Sequence, residues 1–423
     1  MNKNKTAREI LELIDASPTC FHVVDNIRNL IIKRGFTELR EEEEWKLGSG
    51  SYFVTRNGSA IISFIIPDND FKGFHMIASH SDSPSFKIKE NPEMPDGRAY
   101  VRLNTERYGG MLCAQWLDRP LSVAGRIFVE KDGRPIAKLV NVDRDLVIIP
   151  SLAIHMNRDA NEGYKYAPQK DMVPLFGDEA SEGKFLDVVA ECAGLKKDEI
   201  LGHDLFLYNR VKPCFWGADG EYIASARLDD QECVFASLMG FCEAEPEAHV
   251  AMHCVFDNEE VGSTTRQGAA STFLRDTLER INEGLSRSRQ QYHTAIAESF
   301  LISADNAHAY HPNHPDKADP VNRPVMNGGI VIKFNAAQKY TTDAFSAAQF
   351  RLYCSEAGVP CQVFTNRSDM AGGSTLGNIS TTQVPVRTVD IGLAQLAMHS
   401  PYESAGSRDP EYLASVAKVF YNK

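Results

Sequence analysis

Three apolar segments that end in histidine or acidic residues constrain most strongly what this chain can fold into. Residues 73–80 (GFHMIASH), 250–258 (VAMHCVFDN) and 299–305 (SFLISAD) have the composition of buried strands. A helical pattern over 272–281 separates the second from the third. Buried strands alternating with helices at this spacing predict an α/β fold, with a mixed, largely parallel sheet covered by helices.

The first part of the chain carries local signals of three further elements. Apolar spacing predicts an amphipathic helix through residues 10–14 and a second helix over 24–34, which ends near Gly35. The pair Asn57-Gly58 lies between two β-rich runs, which predicts a hairpin.

The middle of the chain has a different pattern. Residues 88–221 contain short β-like runs broken by Gly, Asp and Pro, which predicts a separate β-rich domain inserted into the α/β domain. The expected organisation is therefore an α/β domain made of 1–87 and 222–423, with the insertion between them and most of the candidate metal ligands in the second part.

Composition excludes several classes of protein. Lys+Arg is 45 and Asp+Glu is 57 in 423 residues, giving a net charge of −12, which argues against nucleic acid as a partner. No apolar run approaches the ~20 residues that span a bilayer, and the charged N-terminal helix does not resemble a signal peptide. The nine cysteines include no CxxC pair, which favours reduced thiols in the cytoplasm over a disulfide framework or a thiolate zinc site.

Five short segments concentrate histidine and carboxylate residues. They are HSDSP (80–84), RLDD (227–230), DNEEVGS (257–263), SADNAHAYH (303–311) and MHSPYE (398–403). Each alone is also compatible with a surface turn, a helix N-cap or a solvated acidic loop. Together they offer nitrogen and oxygen ligands for two divalent cations and a spare glutamate, which suits zinc, manganese or cobalt in a hydrolytic two-metal site.

Motifs along nearly the whole chain resemble the aspartyl aminopeptidase family of dinuclear zinc metallopeptidases, which includes vacuolar aminopeptidase. Beside the five segments above, the resemblance rests on YGG (108–110), LDRPLSVAGR (117–126), LAIHMNR (152–158), DMAGGSTLG (369–377) and LAMHSPYE (396–403). It implies a zinc exopeptidase-type fold, a dimerisation role for the inserted domain, and a homo-oligomer, a tetrahedral dodecamer built from dimers, which admits peptides.

The resemblance also implies the metal ligands. His80 and Asp305 would hold one divalent ion, Glu260 and His399 the other, and Asp229 would bridge the two. The cofactors would be two divalent ions per subunit, zinc in the family, with manganese or cobalt as alternatives.

Four further residues receive roles by resemblance. Asp82 would orient His80, and Glu259 would be the general base. His155 would reach a neighbouring subunit's active site, with a buried dimer-interface histidine as the alternative. Lys333 would meet an acidic substrate side chain, with an exposed strand lysine as the alternative.

The chain departs from the family pattern at two positions. Asp230 stands where the family commonly has Asn after the bridging aspartate, and Tyr402 stands where it usually has Arg. An extra carboxylate at 230 bears on metal preference, and the change at 402 bears on the preference for acidic residues.

The expected function is a metalloaminopeptidase that releases single N-terminal residues, Asp or Glu, from peptides. A bridging metal-bound water would attack the peptide carbonyl, with Glu259 as general base. The alternatives are a broad-specificity aminopeptidase of the same family, a carboxypeptidase or deacylase of the same fold, and an inactive assembly protein.

Overall fold

The chain divides into two compact units. The computed structural model describes residues 4–423. The larger unit comprises residues up to Asp82, Pro213–Met398 and Glu403–Lys423, and the smaller unit comprises Ser83–Lys212 and His399–Tyr402. No helix formed by residues 4–423 is both long enough and apolar enough to cross a membrane.

The helices and strands are numbered in chain order. The helices are α1 (Lys5–Asp15), α2 (Cys20–Ile32), α3 (Pro168–Asp171), α4 (Phe185–Cys192), α5 (Leu228–Cys242), α6 (Phe273–Gly284), α7 (Arg289–Ala297), α8 (Ala344–Ala357), α9 (Leu376–Ser380) and α10 (Asp409–Tyr421). The strands are β1 (Thr37–Leu39), β2 (Gly50–Arg56), β3 (Ala60–Ile66), β4 (Phe74–His80), β5 (Ser85–Pro95), β6 (Tyr100–Tyr108), β7 (Leu121–Lys131), β8 (Arg134–Asn141), β9 (Leu175–Asp178), β10 (Gly202–Asn209), β11 (Cys214–Trp216), β12 (Tyr222–Ser225), β13 (Val250–Phe256), β14 (Phe300–Ala304), β15 (Ala307–His308), β16 (Ile330–Phe334), β17 (Cys361–Thr365), β18 (Arg387–Gly392), β19 (Ala394–Leu396) and β20 (Glu403–Gly406).

A nine-stranded sheet forms the centre of the larger unit. Its strand order is β1-β2-β3-β13-β4-β14-β18-β16-β17. The middle strands β13, β4, β14 and β18 pair in parallel, whereas β2–β3, β3–β13 and β18–β16 pair antiparallel. The predicted α/β fold, with a mixed, largely parallel sheet, is confirmed.

Helices cover both faces of this sheet. Side chains of β13 alternate between two apolar cores: Ala251 and Val255 pack in the core that includes α5 and α10, while Met252 and Cys254 pack in the core that includes α6. Because both faces are covered, β13 is apolar at nearly every position, as central parallel strands are.

The parallel register brings several strand ends to one edge of the sheet. Phe256 of β13 is paired with His80 of β4, and Ala304 of β14 is paired with Ile391 of β18. The residues that follow β13 and β14 therefore emerge beside His80, at the edge where open α/β sheets bind ligands.

The two helices and the hairpin predicted near the N-terminus are present, and the second helix begins four residues earlier and ends two residues earlier than predicted over 24–34. Helix α1 buries the apolar positions predicted over 10–14. Helix α2 begins at Cys20 and ends at Ile32, and Gly35 has a φ of 88° in the turn that follows. Asn57 and Gly58 have φ values of 58° and 64°, which the tight turn between β2 and β3 requires.

Two smaller sheets complete the units. In the larger unit, a five-stranded sheet has the order β11-β12-β20-β19-β15. The smaller unit contains a six-stranded antiparallel sheet with the order β8-β7-β10-β5-β6-β9 and its own apolar core around Phe86, Trp116 and Phe185. Its main segment overlaps the predicted insertion at 88–221.

Candidate metal centre

All candidate ligands except His399 lie where elements of the larger unit begin or end. His80 is the last residue of β4, and Asp229 lies at the start of α5. Glu259 and Glu260 form a short 3-10 turn after β13, and Asp305 directly follows β14. Their positions follow from the sheet register, because polar residues at the ends of buried strands reach the same edge.

Two groups of ligand atoms meet at this edge. Within each group, all ligand atoms lie within 4.8 Å of one another. One group contains His80, Asp229 and Glu260, and the other contains Asp229, Asp230 and Asp305. Asp229 belongs to both groups, so the distances give it the shared position between two candidate cation sites.

The backbone of Asp82 and its carboxylate connect His80 to the glutamate turn. Oδ1 of Asp82 accepts a hydrogen bond from the Glu259 N–H (3.1 Å), and Oδ2 of Asp82 accepts one from the Glu260 N–H (3.2 Å). Nδ1 of His80 lies 3.0 Å from the Asp82 carbonyl oxygen and 3.4 Å from Oδ1. Both are acceptors, so Nδ1 carries the proton and Nε2, which lies 3.5 Å from Oδ1 of Asp229, is left to ligate a metal.

Buried hydrogen bonds hold the two aspartates at the start of α5. The Asp229 N–H donates to Oε2 of Glu403 (3.0 Å), and the His80 N–H donates to Oδ2 of Asp230 (3.1 Å). The peptide bond between Asp229 and Asp230 is cis. The sequence placed Asp230 directly after the candidate bridging aspartate, but neither its hydrogen bond with His80 nor a role for Glu403 was predicted.

Strand β18 holds Asp305 in place. The Asp305 N–H donates to the Ile391 carbonyl (3.1 Å). A Cβ at Gly392 would collide with the Asp305 carbonyl oxygen, so only glycine permits this close approach. The position of Asp305 therefore depends on β18 as well as on β14.

Burial and crowding raise the pKa values of these carboxyl groups. Burial is the largest cause for Glu259, with the nearby charges of Asp305 and Asp229 adding to it, and the pKa of Glu259 rises to about 7. Burial and neighbouring carboxylates also raise the pKa values of Glu260, Asp230 and Asp305. Ionised carboxylates are thus unfavourable here unless cations lie among them.

The pKa of His80 is raised, whereas the pKa of an ordinary buried histidine is lowered. Burial alone would lower its pKa, but hydrogen bonds to Asp229 and Asp82 and the charges of Asp230 and Glu259 raise it well above 6.5. The cluster therefore stabilises positive charge at the imidazole, as a cation site would.

Lys333 lies beside Asp305 and is not an exposed strand lysine; that alternative is wrong. Its side chain is 3% exposed, and Nζ donates to the Asn306 carbonyl (2.9 Å) and lies 3.5 Å from Oδ1 of Asp305. Burial would lower the pKa of Lys333, but the charges of Asp305, Tyr340 and Asp390 raise it. The ammonium therefore stays charged next to the candidate metal centre.

Asn306 anchors a buried polar network that sequence reasoning missed. Its Nδ2 donates to Oε2 of Glu232 (3.1 Å) and Oε1 of Gln395 (2.8 Å), and its Oδ1 accepts from the Cys233 thiol (3.0 Å). The only sequence signal was its place directly after Asp305.

The remaining predicted residues lie elsewhere in the chain. His155 is exposed on a turn segment of the smaller unit, beside the exposed side chains of Leu152, Ile154 and Met156. His399 also belongs to the smaller unit; its φ is 66° and its carbonyl accepts a hydrogen bond from the Leu112 N–H (3.1 Å).

Two other sequence features fall outside the ligand groups. His308 and His311 follow Asp305 in the chain but join neither of the groups formed by residues 4–423. The Tyr402 hydroxyl donates to the Lys212 carbonyl (2.8 Å) within the smaller unit.

The donor set fits divalent transition metals. Imidazole nitrogen and carboxylate oxygens are ligands that zinc, manganese and cobalt accept, and the shared aspartate resembles the bridging ligand of a two-metal site. The raised carboxyl pKa values support the same conclusion, because only added positive charge relieves the crowding.

Metal-free protein is expected to lose stability as pH rises from 4.5 to 7. The folded state holds the Glu259 proton up to about pH 7, whereas an unfolded glutamate releases it near 4.5. Across this window the folded state binds more protons, so the free energy of unfolding falls as pH rises. Chelator-treated wild type should therefore lose several degrees of Tm relative to chelator-treated Glu259→Gln across the same window.

The control for that scan is the zinc-loaded protein. Bound cations should remove most of the difference between wild type and variant. Parallel Tm curves for the two metal-free proteins would contradict the predicted shift.

Known proteins resemble this chain along almost its whole length. The family described as "Aminopeptidase I zinc metalloprotease (M18)" matches residues 13–421. A relative named "Probable M18 family aminopeptidase 2" from Clostridium acetobutylicum is 46% identical over 430 residues, covering 100% of this chain and 99% of the relative.

Solved structures show the same similarity. The Chaetomium thermophilum mApe1 structure has a TM-score of 0.89 at 31% identity, covering 100% of this chain and 98% of that one. The S. cerevisiae mApe1 dodecamer has a TM-score of 0.88 at 29% identity, covering 100% and 97%. The family resemblance and zinc aminopeptidase class inferred from the motifs are confirmed: the chain belongs to the M18 family of aminopeptidase I zinc metalloproteases.

Proposed function

We propose that this chain removes single N-terminal residues, preferably Asp or Glu, from peptides whose N-terminus is free. The observation that carries the proposal is the buried cluster in which Asp229 joins two groups of metal-ligand atoms, with Glu259 beside them. Such a cluster suits hydrolysis by a two-metal site.

Two divalent ions would occupy the cluster, zinc by family and manganese or cobalt as alternatives. Each ligand group would hold one ion, and Asp229 would contact both. The motif resemblance distributes the ligands differently and adds His399 as the partner of Glu260. Both assignments give Asp229 the same role.

The protein's own groups would move the proton. When bound, the ions supply Lewis acidity that polarises the peptide carbonyl and acidifies water. Glu259 would take the proton of the attacking water, whose oxygen bonds to the carbonyl carbon. As the C–N bond breaks, Glu259 would return that proton to the leaving amine nitrogen.

Asp82 would position this base. Its carboxylate accepts hydrogen bonds from the backbone N–H groups of Glu259 and Glu260 while its own residue fixes the His80 ring. Asp82 would therefore fix the positions of Glu259 and His80 relative to each other without touching the substrate.

A cavity with several basic side chains in its lining bears on the proposed preference for acidic residues. It has a volume of about 230 Å³ and includes His308, His311, His314, Lys317 and Arg367 in its lining. Of the described residues, no Asp or Glu lines it. Lys317 lies 3.7 Å from Asp316 and Arg367 pairs with Asp369, so the lining would offer a peptide carboxylate hydrogen-bond donors and not an unbalanced positive charge.

The test is a matched peptide panel with N-terminal Asp, Glu, Leu and Lys, each free and acetylated, after reconstitution with zinc, manganese or cobalt. We expect cleavage of the free Asp and Glu peptides. Equal cleavage of Leu and Lys peptides would favour a broad-specificity aminopeptidase. Cleavage of acetylated peptides would contradict the aminopeptidase proposal, and absence of all cleavage would favour an inactive assembly protein.

Lys333→Met is expected to lower the Asp-over-Leu ratio of kcat/KM about tenfold, because it removes a buried positive charge that lies beside Asp305. Lys339→Met is the matched control, since Lys339 is exposed and its Nζ donates to the Gly372 carbonyl. An unchanged ratio in Lys333→Met would refute this role.

We also propose a homo-oligomer, a tetrahedral dodecamer built from dimers through the smaller unit. The similar S. cerevisiae protein is a dodecamer. Exposed Leu152, Ile154 and Met156 around His155 give the smaller unit an apolar surface suited to a subunit contact. Light scattering after size exclusion measures the assembly, and a monomer at micromolar concentration would contradict it.

A cytoplasmic location completes the proposal. None of the nine cysteines, all of which lie within residues 4–423, forms a disulfide in the structure, which fits a protein of a reducing compartment.

A further inference from the structure

Asn306 lies between the elements that carry one group of candidate metal ligands. It directly follows Asp305 in the chain and is 2% exposed. The backbone on both sides of Asn306 is bound to β18 and to the residue that follows it. The Asp305 N–H donates to the Ile391 carbonyl (3.1 Å), and the Ala307 N–H donates to the Leu393 carbonyl (2.8 Å). These bonds tie the segment after β14 to the neighbouring strands.

The Asn306 side chain connects the same segment to α5 and β19. Its Nδ2 donates to Oε2 of Glu232 (3.1 Å) and to Oε1 of Gln395 (2.8 Å). Its Oδ1 accepts a hydrogen bond from the Cys233 thiol (3.0 Å). These three partners are fully or almost fully buried. Because both faces of the amide are hydrogen-bonded to buried groups, the side chain is held in a single orientation.

The partners on α5 follow the other two ligands of the group. Asp229 and Asp230 have non-helical backbone angles at the start of α5, and Glu232 and Cys233 come next in its regular part. The Asn306 side chain therefore reaches from the residue after one ligand to residues just after the other two. Apolar packing between β14 and α5 is non-directional, whereas hydrogen bonds specify distance and angle. A metal site requires ligand distances correct to within a few tenths of an ångström.

We propose that Asn306 is a positioning residue of the candidate metal centre, whose side chain sets the spacing of Asp305 from Asp229 and Asp230. These three ligands are called the Asp305 site, and the group that contains His80 is called the His80 site. The His80 site takes no ligand from the segment after β14. The inference rests on the proposed function, because it presupposes that the cluster holds divalent ions.

Loss of the Asn306 amide should weaken one site more than the other. The change removes the donor that Glu232 and Gln395 share and releases the segment that carries Asp305 from α5. Residues that orient metal ligands contribute about tenfold to a hundredfold to metal affinity. We expect an effect of this size at the Asp305 site and an unchanged affinity at the His80 site.

The experiment titrates full-length, metal-free protein with zinc in competition with a chromogenic chelator, which resolves two binding steps. The wild type should bind two zinc ions. Asn306→Leu keeps a branched side chain without the amide, and it should bind one zinc ion as the wild type does and the other about tenfold to a hundredfold more weakly. Two ions bound with wild-type affinities, or equal weakening of both steps, would overturn the proposal.

Asn282→Leu is the matched control for the loss of a buried asparagine. Asn282 is 3% exposed on α6, and its Nδ2 also donates two hydrogen bonds, to the carbonyls of Arg287 (3.0 Å) and Ser288 (3.2 Å). It belongs to neither ligand group. Asn282→Leu should lower Tm and keep both zinc-binding steps. The same selective weakening in this variant would show a general effect of lost stability and contradict the role of Asn306.

Two variants of Glu232 separate hydrogen bonding from packing and do not require Asn306→Leu to fold. Glu232→Gln keeps an acceptor oxygen for Asn306 Nδ2, whereas Glu232→Met has a similar length and no such oxygen. Both side chains are neutral, so a difference between the variants does not come from charge. Glu232→Gln should bind the zinc ion of the Asp305 site about tenfold more tightly than Glu232→Met. Equal affinities would assign the effect to packing and overturn the proposal.

Peptide cleavage distinguishes failure of this inference from failure of the proposed function. A wild type that binds two zinc ions but cleaves no peptide would contradict the proposed function, and the zinc titrations would still decide the role of Asn306. A wild type that cleaves the Asp peptide while Asn306→Leu keeps both zinc steps would contradict only the role of Asn306. A wild type that binds fewer than two zinc ions would overturn both.

Discussion

Glu259→Gln is expected to lower kcat by about a hundredfold to ten-thousandfold while zinc stays bound. The amide has the size of the carboxylate, and the backbone N–H of residue 259 still donates to Asp82, so the turn keeps its shape. Because the amide cannot take a proton from water, only the rate of the chemical step should fall. Steady-state kinetics on the N-terminal Asp peptide, together with metal analysis, measures both effects.

Glu260→Gln is the matched comparison. Glu260 belongs to a ligand group and Glu259 does not. The two residues are adjacent and both are half-buried in the same turn. Glu260→Gln should lose bound metal along with activity. Normal turnover in Glu259→Gln would exclude it as the general base, and loss of metal there would make it a ligand instead.

Asp229→Ala is expected to remove both metals and reduce activity to background. Asp229 is the residue that belongs to both ligand groups, so its loss weakens two sites at once. Metal analysis should give about two ions per chain for the reconstituted wild type and well under one for the variant. Retention of two ions would show that Asp229 does not lie between the sites.

Asp409→Asn controls for the loss of a buried carboxylate. Asp409 is fully buried at the start of α10 and accepts hydrogen bonds from the N–H groups of Asn327 and Gly329, but it belongs to neither ligand group. The Asp409→Asn variant should have a lower Tm than the wild type and the same metal content. Circular dichroism tests whether Asp229→Ala and Asp409→Asn are folded.

Sequence patterns predicted the strands and the polar residues at their ends because both are properties of short local segments. An apolar run ending in His80 or followed by Asp305 is visible in one dimension, and the register of parallel strands then brings such ends together. The hydrogen bond that Asp230 accepts from His80 and the one that Glu403 accepts from Asp229 were not predicted, because both join residues distant in the chain.

The burial of Lys333 shows another limit. One strand does not reveal whether both of its faces are covered, so a lysine in β16 reads equally as exposed or buried. Its burial follows from the groups that cover its side chain, namely Asp305, the Asn306 carbonyl and the Tyr340 ring. The end of α2 was predicted only approximately, since Gly35 lies in the turn after the helix and not directly at its end.

The order of strands in the nine-stranded sheet has a consequence for biosynthesis. Strand β4 carries His80 but pairs with β13 and β14, which the ribosome adds only after the whole main segment of the smaller unit. Asp305 in turn is held by β18, which begins at Arg387. A nascent or truncated chain that ends before β18 lacks that support for the cation cluster, so peptide hydrolysis should begin only once synthesis is nearly finished.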